Sequence, residues 1–426
     1  MNSKSMGAKE SIQMERRSEA GSTLGMTLLI SGVLGIVLAS YLTMVDSEHR
    51  AVARSQSWNL AIPEVEGAIE ESLAHIQQNG LVAVDGWSSS GGTLVKTRNF
   101  VDQYWVARIS ATNPPSITVT GYARVTSKTN TFVSRAVQVT TRSDALFAKG
   151  LVADGQINLN GNNITSDSFD STDPLYSTGG LYDPAKRLEN GDIATNSGLV
   201  NSVNVGNADI YGSVATGPGG SVSIGNNGFV TGTVSDDMNV DFPDASVPFS
   251  TAVPPASGTV NGVTYSYVLT SGDWQVIGDL SLSGTSKILV MGDARLHVTG
   301  NFSMSGNSFV HLTNAASLKL YVGGASTSLG GNGIVNGSNQ ATNFMYYGLP
   351  TNTSLSMSGN AAFTGLLYAP SANLTLGGGG NNTYDFVGAG IANTITMNGH
   401  FNFHYDESLG RVGPTRGYVV NSWKEL

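Results

Sequence analysis

The stretch Phe403-His404-Tyr405-Asp406-Glu407 sets an imidazole beside two carboxylates, the most chemically suggestive cluster in the chain. A histidine so placed could ligate a metal ion or move a proton near neutral pH. Successive side chains of a strand point to opposite faces, so His404 and Asp406 would share one face and Glu407 would not. The plainer reading is a cap on the last rung of a domain, with its polar groups satisfied. A second cluster, Asp167, Asp170 and Asp173, offers the oxygen ligands that calcium takes. It lacks the D-x-[DN]-x-[DN]-G order of a calcium loop.

A third set, Asp279, Asp293, Lys287, Arg295, His297 and Lys319, matters only if folding gathers it into one cleft. Polysaccharide lyases and glycoside hydrolases need clustered carboxylates, or a carboxylate with Arg or Lys. Other motifs are absent. The glycines at 377–380 are not followed by Gly-Lys-Ser/Thr, and Gly388-Ala389-Gly390 lacks a third spaced glycine. With zero cysteines, neither disulfides nor thiolate metal ligation is possible. The sequence therefore assigns no catalytic, cofactor-binding or metal-ligating residues. It leads us to expect a non-enzyme without a cofactor, with a polysaccharide lyase or glycoside hydrolase as the alternative.

The elements that must position these residues are unevenly charged. Charged residues make up 12% of the 426, about half the usual share, and there are 53 glycines. Residues 1–143 carry 13 basic and 11 acidic side chains, whereas 144–426 carry 9 basic and 20 acidic, a net −11. Such a surface disfavours nucleic acid and anionic lipid headgroups.

Residues 21–45 contain no charge. A helix of that length is about 37 Å long, enough to cross a hydrocarbon core of about 30 Å. Its Ser and Thr hydroxyls can return to the backbone and cost little in lipid. A cleaved signal peptide is the rival, but the run exceeds the ~7–15 apolar residues of a signal segment. The leader 1–20 carries Lys4, Lys9, Arg16 and Arg17, against Arg50 and Arg54 beyond the span. This excess predicts a single-pass protein with a cytoplasmic N-terminus and an exported bulk.

From Trp58 the residues Ile62, Val65, Ile69, Leu73 and Ile76 recur at helical spacing, with Glu64, Glu66, Glu70 and Glu71 on other faces. The stripe either docks on the chain's own sheet or forms a seam between subunits. Pro63 should kink or break this helix, and Gly80 should end it. Runs at 93–98, 104–109, 116–124 and 131–142, split by Gly91-Gly92, Pro114-Pro115 and 127–130, predict a small antiparallel meander on the helix. The basic leader, uninterrupted span, amphipathic continuation and meander together resemble the type IV pilins and pseudopilins, in particular the larger minor or assembly-type members. The resemblance covers the first third of the chain. It implies a bacterial inner-membrane anchor, with pilus or secretion-machine subunits as partners. Gly21 would fall at the group's peptidase site, while Met26 stands where the group carries Glu.

Beyond residue 150 a phrase recurs, two apolar residues around a polar one and then a Gly or Gly-Asn turn. It reads Ile157-Asn158-Leu159, Val203-Asn204-Val205, Val222-Ser223-Ile224, Leu280-Ser281-Leu282, Phe302-Ser303-Met304, Leu355-Ser356-Met357, Leu374-Thr375-Leu376 and Ile395-Thr396-Met397. A period near twenty residues predicts a parallel β-helix whose rungs bury these residues against one another; stacked antiparallel sheets are the alternative. The aspartate-rich stretches 166–192 and 235–257 read as protruding loops. The phrases Gly161-Asn162-Asn163-Ile164, Leu367-Tyr368-Ala369-Pro370 and Phe403-His404-Tyr405-Asp406-Glu407 also resemble uncharacterised solenoid domains that follow pilin-like anchors.

The expected fold is thus mainly β. It comprises a leader (1–20), a transmembrane helix (21–45), an amphipathic helix with an antiparallel meander (46–144), a parallel β-helix (145–411) and a C-terminal tail (412–426). The expected role is a structural or adhesive envelope component, displayed in the periplasm or at the surface. Its partners are the lipid bilayer through 21–45, pilus or secretion-machine subunits, and a surface glycan stacked on Tyr265, Trp274, Tyr346 or Tyr347 unless these serve in packing. Nucleic acid is not among the expected partners.

Overall fold

The computed structural model describes residues 12–126, 131–161, 163–358, 363–377, 384–398 and 400–426. Leader residues 1–11, the 127–130 connection and the predicted corner residues Asn162, Gly359, Asn360, 378–380 and Gly399 lie outside the described residues. The chain divides into two compact units, one made of 1–144 with 417–426 and the other of 145–416.

In the first unit, helix α1 runs unbroken over Ile12–Asn79, about 100 Å at 1.5 Å per residue. Its apolar stretch is fully exposed, Leu24, Leu28, Leu34 and Ile36 included. It has the length and composition to cross a membrane. The hydroxyls of Thr27, Ser31 and Thr43 donate to the carbonyls of Leu24, Leu28 and Ser40 at 2.8–2.9 Å, so these three are satisfied within the helix. Pro63 does not break α1, contrary to expectation. Its missing N–H frees only the carbonyl of exposed Asn59, while Ala61 and Val65 on either side are fully buried. Gly80 ends the helix at φ +61°, donating its N–H to the carbonyl of Ile76 at 3.0 Å.

The helix packs on strands β1 (Ser88–Ser90), β2 (Thr93–Asn99), β3 (Gln103–Ser110), β4 (Ser116–Arg124) and β5 (Phe132–Ala145), antiparallel in chain order. Val65, Ala68, Ile69 and Ile76 meet Trp105, Ile117, Val119, Val137 and Val139 in one core. The stripe therefore docks on its own sheet. Gly121 marks the closest approach, since a Cβ there would lie 2.7 Å from the carbonyl oxygen of Ala61. Glu71 is held by Lys96 and Arg98 at 2.7 and 2.8 Å.

The C-terminal residues are not a tail. Thr415–Glu425 form a strand beside β5. Arg135 makes a two-pronged ion pair with Glu425 at 2.7 and 2.9 Å, and the hydroxyls of Thr140 and Ser422 lie 2.6 Å apart. The reading as a tail missed this because the partner strand lies some 280 residues earlier in the chain. The second unit is thus inserted between two neighbouring strands of the first.

The second unit is a parallel β-helix of three ladders. In the first, Gly272–Val276, Asp293–Val298, Ser317–Val322 and Phe344–Gly348 pair in register, then continue into the long strands Phe363–Leu376 and Tyr384–Met397. The second stacks Leu280–Leu282, Phe302–Met304, Ser326–Leu329 and Ser354–Met357 and ends in the same long strands. The third begins with Val263–Leu269, Lys287–Val290, Phe309–Leu312 and Ile334–Asn336. Phe363, Phe386 and Phe403 continue its side, in parallel register. Their rings, with Phe344, meet edge to face at 4.8–5.7 Å.

Stacking order is not chain order. Leu151–Ala153, Ile157–Leu159 and Thr165–Phe169 pair in parallel with Tyr384–Met397 and Phe401–Asp406, so the unit's first coil lies on its last. The coils of Ile193–Thr195, Val203–Gly206 and Asp209–Ile210, then of Val214–Ala215, Val222–Ile224 and Phe229–Val230, complete the stack. Val234–Ser235 closes it over Val214–Ala215. Residues 236–255 then return along the outside of the first ladder. At one end the Met238 N–H donates to the Thr216 carbonyl at 2.9 Å; at the other the Val253 N–H donates to that of Asp273 at 3.1 Å.

The recurring phrases supply the core. Leu280, Leu282, Phe302, Met304, Leu355, Leu374, Leu376, Ile395 and Met397 are all buried in one continuous cluster, with Met357 packed against it. Met304→Asp places an unpaired charge there and should lower stability by about 3–5 kcal/mol. Ser281→Asp, whose side chain is exposed in the same ladder, should change it by less than about 0.5 kcal/mol. Thermal unfolding of the two variants checks the register, and equal effects would refute it.

Candidate functional site

The parallel pairing of Phe401–Asp406 with Thr165–Phe169 sets His404 opposite Asp167. Both are 3% exposed. The imidazole Nδ1 lies 2.5 Å from Asp167 Oδ1, and the Tyr182 hydroxyl donates to Oδ2 at 2.7 Å. The Tyr182 ring covers the imidazole, with ring centres 3.6 Å apart and planes 21° from parallel. Asp406 accepts the N–H groups of Ser171 and Ser408, both at 3.1 Å. Glu407 Oε1 accepts from Ser168 Oγ and Asn190 Nδ2, each at 2.8 Å. The Tyr405 hydroxyl donates to the carbonyl of Phe147, and burial raises its pKa.

His404 and its neighbours are therefore not a terminal cap. They lie at the internal seam where the first coil rests on the last. The aspartate-rich insertion is largely exposed, as expected of a loop, and is tied back to the coil at its base. Leu188 bridges back to Ser168, Asp183 caps the short 3-10 turn Pro184–Lys186, and Asp170 binds Arg411 and Thr172. Burial opposes the charge on Asp170, but the hydrogen bonds from Thr172 and Arg411 outweigh it and hold its pKa below the ordinary value. Among the described residues no group of three or more His, Cys, Asp or Glu side chains is arranged to hold a metal ion. Asp167, Asp170, Asp406 and Glu407 are each bound to a group from the facing segment.

The third sequence set is only partly gathered. Asp293, Arg295 and Lys319 line a groove of about 540 Å³ with Gly272, Asp273, Ala294 and Ser317. Asp273, which the sequence reading passed over, takes both prongs of Arg295 at 2.5 and 2.8 Å. Asp293 accepts from Ser317 Oγ at 2.8 Å. The remaining members are elsewhere. Asp279 accepts the Asn301 N–H at a corner, Lys287 lies over the Phe309 ring, and His297 pairs with Gln275 at 3.1 Å. Burial lowers the pKa of His297.

The proposed stacking aromatics are packing residues. Tyr346 is fully buried, its hydroxyl 2.7 Å from Thr327 Oγ1 and donating to Asn352 Oδ1 at 2.9 Å. Tyr265 is buried, and Trp274 gives its N–H to the carbonyl of Thr270. Tyr347 stacks on Tyr321 at 4.7 Å and meets Tyr368, which donates to the carbonyl of Pro243 in the returning segment. That segment is the second predicted loop, 235–257. It lies along the ladder because its carbonyls, Phe249 and Val253 find partners there.

These observations define a mainly β protein whose N-terminal helix is suited to anchoring it in a membrane, with an antiparallel sheet and a parallel β-helix closed by a satisfied polar seam. Residues 251–412, less than half the chain, match a family model described as a domain of unknown function, DUF7305. No curated protein matches. Among solved structures, the competence-associated pilin ComZ from Thermus thermophilus aligns over 88% of this chain and 97% of that one, at 14% identity and a TM-score of 0.22. At that score the alignment carries no argument.

Removing Asp167 leaves the Tyr182 hydroxyl and His404 Nδ1 without their buried acceptor, so Asp167→Ala should destabilise by about 2–3 kcal/mol. Asp170 adds a pH dependence. Its folded-state pKa lies below the unfolded one, so its contribution is complete above the ordinary carboxylate range and disappears as pH falls through the lowered value. In acid titrations followed by circular dichroism, Asp170→Asn should lose less stability between neutral and acid pH than the parent chain.

Proposed function

We propose that this chain is a non-enzymatic, single-pass component of a bacterial envelope. In this reading α1 holds it in the inner membrane with the N-terminus in the cytoplasm. The β-helix is displayed on the other side as a structural or adhesive part of a type IV pilus or type II secretion-like machine. The observation that carries the reading is the change of role along one helix. Its apolar side chains are exposed from Leu24 to Met44, while Ala61, Val65, Ala68 and Ile69 are buried in the sheet. An anchor continuous with a domain-packing helix is the plan that the resemblance to pilins implies. The basic excess of the leader supports the orientation.

The engagement of Asp167 by His404 and Tyr182 at the seam fits the non-enzymatic part. One observation favours the competing class of glycan-active enzyme: Asp273 and Asp293 stand on adjacent coils beside Lys319 in the groove. Against it, Asp273 is committed to Arg295 and Asp293 to Ser317.

Two measurements test the proposal. In spheroplasts treated with protease, residues 145–416 should be digested while the extreme N-terminus survives; protection of 145–416 would reverse the topology. The intact protein should co-purify with pilus-assembly or secretion components. If it instead cleaves an acidic glycan and Asp293→Asn abolishes the cleavage, the structural reading is wrong.

A further inference from the structure

The two ends of the β-helix are finished differently. At one end Ala256–Val260 folds antiparallel onto Val263–Leu269, preceded by Pro254 and Pro255, and Val253 bridges to Trp274. Of the inward residues here, Leu269, Leu280 and Leu282 are 0–4% exposed, and Trp274 and Val276 are partly buried. At the other end nothing among the described residues lies on the final coil, 222–235. Val214 is fully buried, whereas Val234, in register with it one coil further on, is 53% exposed. Val222 and Val230, in register with fully buried Val203 and Ile210, are only partly buried, and Ile224 is 44% exposed. The core is therefore open at this end, and the strands around it present unpaired ladder edges.

Proteins that must keep such an edge single protect it with charges, prolines or a covering hairpin. The closed end uses the last two. The final coil uses none, for residues 222–235 contain no charged residue and no proline. Its neutrality stands out in a unit, 145–416, that carries 8 basic and 18 acidic side chains, net −10. Copies approaching through their flanks repel one another, while the end coil brings no charge of its own, with exposed Asp236 and Asp237 following its last strand. An open end meeting a closed end would find two of its three ladders already covered, which excludes an end-to-tail chain. Two open ends related by a two-fold axis bury the same apolar coil on both sides and close after two copies.

We propose that the coil 222–235 is a self-association surface, on which a second copy of this chain stacks end to end about a two-fold axis. Val222, Ile224, Val230 and Val234 supply the apolar contact, and the strand edges pair antiparallel. This goes beyond the anchoring role above and does not depend on which machine, if any, the protein joins.

The native chain has no cysteine, so single thiols report proximity cleanly. Ser223→Cys, Thr231→Cys and Ser235→Cys are made separately in the full-length chain, purified in detergent and oxidised mildly. Ser281→Cys, exposed near the closed end, serves as the reference. A covalent dimer is expected in at least one of the three, absent from Ser281→Cys and lost when Val234→Asp is added. Val234 is half exposed, so that change should leave the melting temperature near the parent's, which separates loss of contact from loss of fold. Association through α1 alone would give no preference for the open end over Ser281→Cys. Equal cross-linking at both ends would overturn the proposal. So would three unlinked thiols with another protein retained on the end coil, or with none.

Discussion

The second unit depends on one constraint: the apolar side chains of a coil leave water only when another coil lies on each side in register. No coil can satisfy this alone. Leu282, Met304 and Leu329 are buried because they occupy successive coils of one ladder. Where the succession stops without a cover, at Ile224 and Val234, the same kind of residue is exposed. Within the stack, covalent sequence enforces register almost everywhere, since each coil leads directly into the next. The contact of 151–169 on 389–406 is different, because there two coils far apart in the chain must find one another. The densest polar cluster of the unit lies at that contact. Hydrogen bonds are directional where apolar contact is not, and the pairs Asp167–His404, Ser168–Glu407 and Ser171–Asp406 each join the two segments. A slip of one residue would break all three and turn every inward side chain outward.

The same constraint explains the returning segment. Having reached the open end at 235, the chain must travel the length of the stack before it can begin the coil at the other end. It does so in 236–255, an extended stretch with four prolines. Proline suits this path because its fixed backbone angle favours extension and the ladders need no N–H from it. The segment is held at intervals: Val240 and Asn196 exchange hydrogen bonds, Tyr368 binds the carbonyl of Pro243, and the Arg295 guanidinium lies over Phe249. What looks from composition like a solvent loop thus packs on Tyr321 and Tyr368.

How much of this the sequence revealed follows from the range of each signal. Local alternation identified the inward residues of most second-ladder coils, because Leu280-Ser281-Leu282 and its relatives carry their pattern within three residues. The coil at Ser326–Leu329 was missed, since Thr327 takes an inward place, satisfied by Tyr346 and Asn352, and breaks the apolar phrase. The helical stripe was legible, although whether it met its own sheet or a neighbour was not. Nothing local revealed the seam: Asp167 and His404 are separated by 237 residues, and the repeat implies stacking in chain order. His404-Tyr405-Asp406-Glu407 was found as a cluster and misplaced as an end, because its covering coil comes from the start of the unit. Asp273 escaped for the related reason that its partner Arg295 is one coil away rather than adjacent in sequence.

The seam also bears on how far chemistry can be read from residue types. A carboxylate or imidazole that itself exchanges a proton with substrate needs a lone pair or proton facing a space that substrate can enter. Asp167 has both oxygens engaged, by His404 and by Tyr182, and the Tyr182 ring covers the imidazole face. Asp406 and Glu407 are engaged with backbone and side chains of the facing segment. The residues that suggest an active site in sequence thus join two distant segments in structure. That joint closes a unit which leaves the first sheet after β5 and returns to it as the strand beside β5. A force on the β-helix therefore reaches the sheet through two neighbouring strands. There the bidentate Arg135–Glu425 pair and the bonded hydroxyls of Thr140 and Ser422 hold those strands together. Polar groups that tie distant segments recur at both places where chain continuity does not.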